Sequence, residues 1–189
     1  NHPEVIGTMG QIKSNIYLIE NKNDLKNLKF DKNKKIAYVT QTTLSVDDTE
    51  EIISEIKKQF NNIVEPRKND ICYATTNRQN AVKNIADKCE IFIVIGAQNS
   101  SNSLRLVEVA KHYGAKKSIL LEDIEKFDEK ILKYIKNIGL TASASAPEIL
   151  VQNFIKILKK KYNVKVQEPD YLSENINFKI PQQLKYKIK

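Results

Sequence analysis

A chain of 189 residues is long enough for one domain or two small ones with a sizeable core, and its 41% hydrophobic and 29% charged residues are those of an ordinary globular protein. Its longest apolar run, residues 91–97, has the length of a strand and not of a membrane span. The formal charge of +8 lies in scattered lysines, with only Arg67, Arg78 and Arg105 as arginines and no basic-aromatic platform, which argues against nucleic acid. Two cysteines make no disulfide framework and point to a reducing compartment. The chain begins at Asn1, without methionine or signal peptide, and so reads as part of something longer or as a processed product.

The opening NHPEVIGTMGQ places His2 two residues before Glu4 and sets Gly7 and Gly10 about a turn. Residues 16–19 read as a strand, 22–30 as a short helix and 36–39 as a second strand that runs into the polar string Thr40, Gln41, Thr42, Thr43. Ser45 and Asp48 then have capping-box spacing ahead of a helix whose apolar face is Ile52, Ile53, Ile56 and Phe60. The same order of strand, polar turn and helix recurs. A helix over 76–87 precedes a strand over 91–95, the turn 96–103 and a helix with inner face Leu106, Val107, Ala110 and Tyr113, ended by Gly114. A strand over 118–121, an acidic helix over 125–135 and a strand over 138–141 follow. Ser145 and Glu148 form a second candidate capping box over a helix reaching Lys161, with Pro147 in its first turn. This alternation predicts parallel α/β layers. The remainder, 164–189, is extended and contains Pro169 and Pro181, so it reads as an arm; the most plausible linker is 66–69.

Three polar turns, 40–43, 98–103 and 143–145, follow the carboxyl ends of strands and precede helices. Open α/β sheets bind ligands there, and hydroxyls, amides and free N–H groups at that place suit a phosphate or diphosphate. No Walker A sequence and no G-x-G-x-x-G fingerprint is present. Ser45 and Ser145 are equally readable as plain helix caps. An imidazole such as His2 can donate to an anion, and a carboxyl such as Glu4 can deliver a proton to a leaving hydroxyl. Cys72 lies in DICYATTNRQ, where a helix should begin, and the positive potential there favours a thiolate for metal ligation or nucleophilic work; a packed thiol is the plainer alternative. His112 reads as an outer-face helix residue and Cys89 as a packed thiol ahead of a strand.

In order, HPEVIGTMGQ, TQTTLSVDDT, EPRKNDICYATTNRQ, GAQNSSNS and ASASAPEILVQNFI closely resemble the 4-hydroxy-3-methylbut-2-enyl diphosphate reductase family, over nearly the whole chain. The resemblance implies three similar small parallel-sheet α/β domains around a central cavity holding a 4Fe-4S iron-sulfur cluster, one cysteine from each domain. Two of the three would be here: 1–68 as the second domain, incomplete at its start, 69–160 as the third, and 161–189 as an arm packing on the absent first domain. Cys72 matches one cluster ligand; Cys89 matches none. Glu4 and Thr42 match the catalytic pair, with Glu4 the proton source, and His2, Ser100, Ser101, Asn102 and Ser145 match the diphosphate-binding positions. The implied reaction is the reductive dehydroxylation that yields isopentenyl and dimethylallyl diphosphates, the last step of the non-mevalonate pathway, with electrons from ferredoxin or flavodoxin. The resemblance implies a monomer that works without membrane or nucleic acid, in the cytoplasm of a bacterium or a plastid-type organelle of a eukaryote. With one of three ligand cysteines, the polypeptide by itself is expected to be inactive as a reductase. The alternative is a non-catalytic phosphate-binding α/β module that lacks the cluster.

Overall fold

The structure is a computed structural model, and it describes residues 2–13, 15–168, 176 and 178–184. Among the described residues are five parallel strands and six α-helices. Helix α1 is Pro3–Met9, α2 Lys22–Asn27, β1 Ile36–Ala37, α3 Val46–Gln59 and β2 Ile63–Val64. Then come α4 Tyr73–Lys83, β3 Ile91–Ile95, α5 Ser101–His112, β4 Lys117–Leu121, β5 Ile138–Ala142 and α6 Glu148–Lys161. Strands and α-helices alternate from β1 to β4.

The larger sheet has the order β4-β3-β5, all parallel, with Ile91 opposite both Lys117 and Ile138. Its central strand IFIVI has no polar residue because both of its faces are covered. Phe92 and Val94 point to one side, where Val82 and Ala86 from the α4 segment meet Leu106, Val109 and Ala110 of α5. Ile91, Ile93 and Ile95 point to the other, against Phe154 and Leu158 of α6. Each such side chain contributes about 1.5–3 kcal/mol of burial, so this strand anchors the layers. The smaller sheet pairs β1 with β2 and packs Ile36 and Ile63 on Leu25, Ile56 and Phe60 from α2 and α3.

Five local expectations are corrected. Residues 16–19 form no strand; Tyr17 stacks edge-on against Phe30 at 4.7 Å and Ile19 joins the small core without a ladder partner. The acidic stretch after β4 is not a helix over 125–135 but two single 3₁₀ turns, 124–126 and 129–132. Asp123 and Asp128 each accept from the backbone N–H two residues on, and these local bonds compete with helix propagation. Helix α4 starts at Tyr73, not Thr76, which makes Cys72 itself its N-cap residue. Ser145 does not cap α6: the cap position is Pro147, and the Ser145 hydroxyl lies 3.2 Å from that of Ser143. Gly114 does end α5 in the left-handed region, at φ 104°, and Ser45 does cap α3 through Asp48 N–H, whereas α5 begins inside the expected turn 96–103, at Ser101, because the Ser100 hydroxyl accepts the Ser103 N–H and caps it there. Of the arm, residues 169–175, 177 and 185–189 lie outside the described residues. Phe178 is exposed, 6.1 Å from the Tyr73 ring.

Candidate functional site

Strand β3 feeds the crossover to β4 on one side, and the chain returns as β5 on the other. The crevice at the carboxyl ends of β3 and β5 is therefore where such a sheet opens. Ser143 N–H donates to Ile95 C=O at 2.9 Å, which draws the turn after β5 against the end of β3. Between them lies Gly96. A Cβ there would stand 2.2 Å from Ser103 Oγ and 3.2 Å from Ser143 Cβ, so only glycine lets the first turn of α5 approach this closely.

That first turn carries Ser100, Ser101, Asn102 and Ser103. Asn102 is 6% exposed, yet neither its Nδ2 nor its Oδ1 has a hydrogen-bond partner among the described residues, and the same is true of Ser103 Oγ. Buried amides are nearly always satisfied, and this one lies beside an α-helix N-terminus, where free N–H groups and the helix dipole suit an anion. Against Ser101 comes His2, 99 positions earlier, with Nε2 2.7 Å from Ser101 Oγ. His2 Nδ1 accepts the Glu4 N–H at 3.3 Å, so in the neutral ring Nε2 carries the proton and donates it to the serine. The Ser101 O–H is then free to point at an anion.

The second half of the site is built from α1, the turn after β1 and the start of α4. Thr42 donates twice to the Glu4 carboxylate, from N–H at 3.1 Å and from Oγ1 at 3.3 Å. The Cys72 N–H in turn donates to Thr42 C=O at 3.0 Å. Cys72 is exposed, and its thiol makes no capping bond. Cys89 is the opposite case: it is 7% exposed, its S–H donates to Ile85 C=O at 3.1 Å, and burial pushes its pKa up, all of which suit an inert core thiol.

Thus Glu4, Thr42 and Cys72 come together, as do His2 and Ser101 beside Ser100 and Asn102. Ser145 is exposed on the turn after β5, tied to the cluster through Ser143. Gly96, Ser143 and Ser103 were not singled out from the sequence individually, nor were Arg78 and Gln79. The available signal was α4 itself, a helix poor in apolar residues that is nonetheless packed, and that therefore has to bury polar ones: Thr75 and Gln79 are 2% and 0% exposed.

The structure is thus a parallel α/β protein that gathers hydroxyls, a buried amide without a partner among the described residues, an imidazole and a carboxylate near strand ends, with an exposed thiol at a helix cap. Residues 1–159 match the family described as LytB protein, and the chain belongs to that family. It is 47% identical over 191 residues to the 4-hydroxy-3-methylbut-2-enyl diphosphate reductase of Serratia proteamaculans, covering 100% of this chain and 60% of the relative. To the reductase of the same name from Escherichia coli K12 it is 44% identical, with the same coverage. The structure of the E-1-hydroxy-2-methyl-but-2-enyl-4-diphosphate reductase from Plasmodium falciparum superposes with a TM-score of 0.89 at 39% identity, over 100% of this chain and 59% of that one. The chain thus spans about 60% of the length of these relatives.

Proposed function

We propose that this chain carries the substrate-binding and proton-delivering part of a reductase that converts 4-hydroxy-3-methylbut-2-enyl diphosphate to isopentenyl and dimethylallyl diphosphates. The observation that carries the reading is the run of hydrogen bonds joining the Glu4 carboxylate, Thr42 and the backbone of Cys72. The reaction takes up two electrons and two protons, breaks the allylic C–O bond and releases water.

A 4Fe-4S iron-sulfur cluster fits this site in part. Cys72 offers an exposed thiol with no competing hydrogen bond at a helix cap, where the helix dipole favours a thiolate. The other thiolates must come from sequence beyond these 189 residues: Cys89 is turned into the core, and no trio of His, Cys, Asp or Glu converges on a metal position among the described residues. When bound, the cluster supplies the electrons of the reduction. The Thr42 N–H and hydroxyl hold the two oxygens of the Glu4 side chain, and once protonated on Oε2, with the Thr42 hydroxyl turned to accept, Glu4 gives its proton to the departing hydroxyl. His2, Ser100, Ser101, Asn102 and Ser145 hold the diphosphate, the buried Asn102 amide gaining the partners it lacks without ligand.

On this reading 1–68 and 69–160 are two of three similar domains around the cavity, and 161–189 packs on the third. The protein works as a monomer in the cytoplasm of a bacterium or in a plastid-type organelle, with ferredoxin or flavodoxin as electron donor. No described helix is long and apolar enough to cross a membrane.

The test is iron and acid-labile sulfide on the polypeptide of the relatives' full length, purified anaerobically, together with turnover of the allylic diphosphate by a chemically reduced viologen. Wild type should hold about four irons per chain. Cys72→Ser should lose most of the iron, and full occupancy in that variant would remove Cys72 from the ligand set.

A further inference from the structure

Helix α4 presents two consecutive side chains that reach opposite ways. Gln79 is wholly buried; its Nε2 donates to Leu44 C=O at 2.8 Å and its Oε1 accepts the Val46 N–H at 3.0 Å. These two bonds straddle Ser45, the cap of α3, and grip the far end of the turn that holds Thr42. The near end of the turn is gripped by Cys72 N–H on Thr42 C=O. Cys72 and Gln79 are seven residues apart on one helix, two turns along the same face, so both ends of the turn are referred to a single rigid element. Arg78 points the other way. Its Nε donates to Ala142 C=O at 3.1 Å and its Nη1 to Ala74 C=O at 3.4 Å, tying the last residue of β5, next to Ser143 and Ser145, to the start of α4.

We propose that α4 is a strut that sets the distances between the Cys72 thiol and the two polar turns, with Gln79 as positioning residue for Thr42 and Glu4 and Arg78 as positioning residue for the Ser145 turn. The inference rests on the reductase reading of Thr42, Glu4, Ser145 and Cys72. A Gln79 side chain needed only for packing would be replaceable by one of equal length. A Gln79 needed for position would not be, because a turn freed by about 1 Å misplaces the Glu4 carboxylate.

The two side chains act on different groups, so they separate kinetically. In the polypeptide of the relatives' full length, Gln79→Met should lower kcat on the order of 10²-fold with KM within about twofold, and iron content should be unchanged. Gln79→Glu, which keeps the length and the acceptor for Val46 but sets a buried carboxyl oxygen against Leu44 C=O, should also lower kcat and speed exchange at 42–46. Arg78→Met should raise KM about tenfold with little change in kcat. In the iron-free polypeptide, amide exchange at 42–46 should accelerate on the order of tenfold in Gln79→Met while that of β3 stays as in wild type. If Gln79→Met does not accumulate as folded protein, Gln79→Glu carries both readings. Wild-type kcat and KM in a folded Gln79 variant, or unchanged exchange at 42–46, would overturn the strut. Because the exchange measurement needs neither metal nor substrate, failure of the strut and failure of the reductase reading are told apart.

Discussion

Gly96→Ala tests how closely the strand ends and the α5 N-terminus must approach. The added methyl would lie 2.2 Å from Ser103 Oγ, 2.9 Å from Ser103 Cβ and 3.2 Å from Ser143 Cβ. A hydroxyl can rotate away, but the Ser103 Cβ moves only with α5. Restoring an ordinary carbon–carbon contact of about 3.5 Å or more requires the first turn of α5 to retreat by roughly 0.5–1 Å. Retreat toward Ser143 is closed, since Ser103 and Ser143 are 0% and 1% exposed. Overpacking of this kind costs about 2 kcal/mol, which for a chain of this size lowers Tm by roughly 4–8 °C. The same shift carries Ser101 and Asn102 with it and should weaken binding of the allylic diphosphate by roughly 10- to 100-fold. Thermal melts of this chain and calorimetric titration on a polypeptide of the relatives' full length read the two effects. Gly7→Ala is the control: nothing lies within 4 Å of its would-be Cβ on a helix, so it should raise stability by up to about 0.5–1 kcal/mol. A Gly96→Ala protein that melts and binds like wild type would refute the argument from close approach.

Glu4→Gln should abolish turnover while leaving iron content intact; activity within tenfold of wild type would remove Glu4 as the proton source. Asn102→Leu should gain about 1–2 kcal/mol of stability, because it replaces a buried amide with no partner, and should lose diphosphate binding. A lower Tm in that variant would mean that the amide is satisfied in the free protein. Acid should weaken the contact between α3 and the α4–α5 pair. Burial alone would raise the pKa of Asp47, but hydrogen bonds from Lys83 at 2.5 Å and Tyr113 at 2.6 Å outweigh it and hold the carboxyl below its ordinary value. A lowered folded-state pKa contributes stability above the unfolded-state value and loses it as pH falls through the folded one. The urea midpoint of wild type should therefore exceed that of Lys83→Met near neutrality, and the gap should close between about pH 5 and pH 2. Asp47 is 41% exposed, so screening keeps the gap under about 1 kcal/mol. A gap that does not change with pH would contradict the assignment.

Much of the fold was legible because its signals are local. The apolar run of β3 flanked by polar turns, the cap at Ser45 and the stop at Gly114 each follow from a few adjacent residues, and the structure has them at those positions. Other local readings failed where two local tendencies competed. Asp123 and Asp128 turned an expected helix into separate turns by bonding their own backbone, and Ser145 has capping spacing but bonds toward Ser143.

By itself the amino-acid order determined the periodicities, the turn chemistry and the motifs of the family, all of which depend on spacings of a few residues. Only the tertiary structure decided that His2 meets Ser101, that Glu4 meets Thr42, and that Gln79 reaches past Ser45 to hold the turn bearing that threonine. Contacts across 99 or 38 positions depend on parallel register and crossover direction. Those are set by the packing of both faces of β3 in the larger sheet and by the Leu25, Ile56 and Phe60 cluster under the smaller one, properties of the assembled layers that no short window of sequence contains.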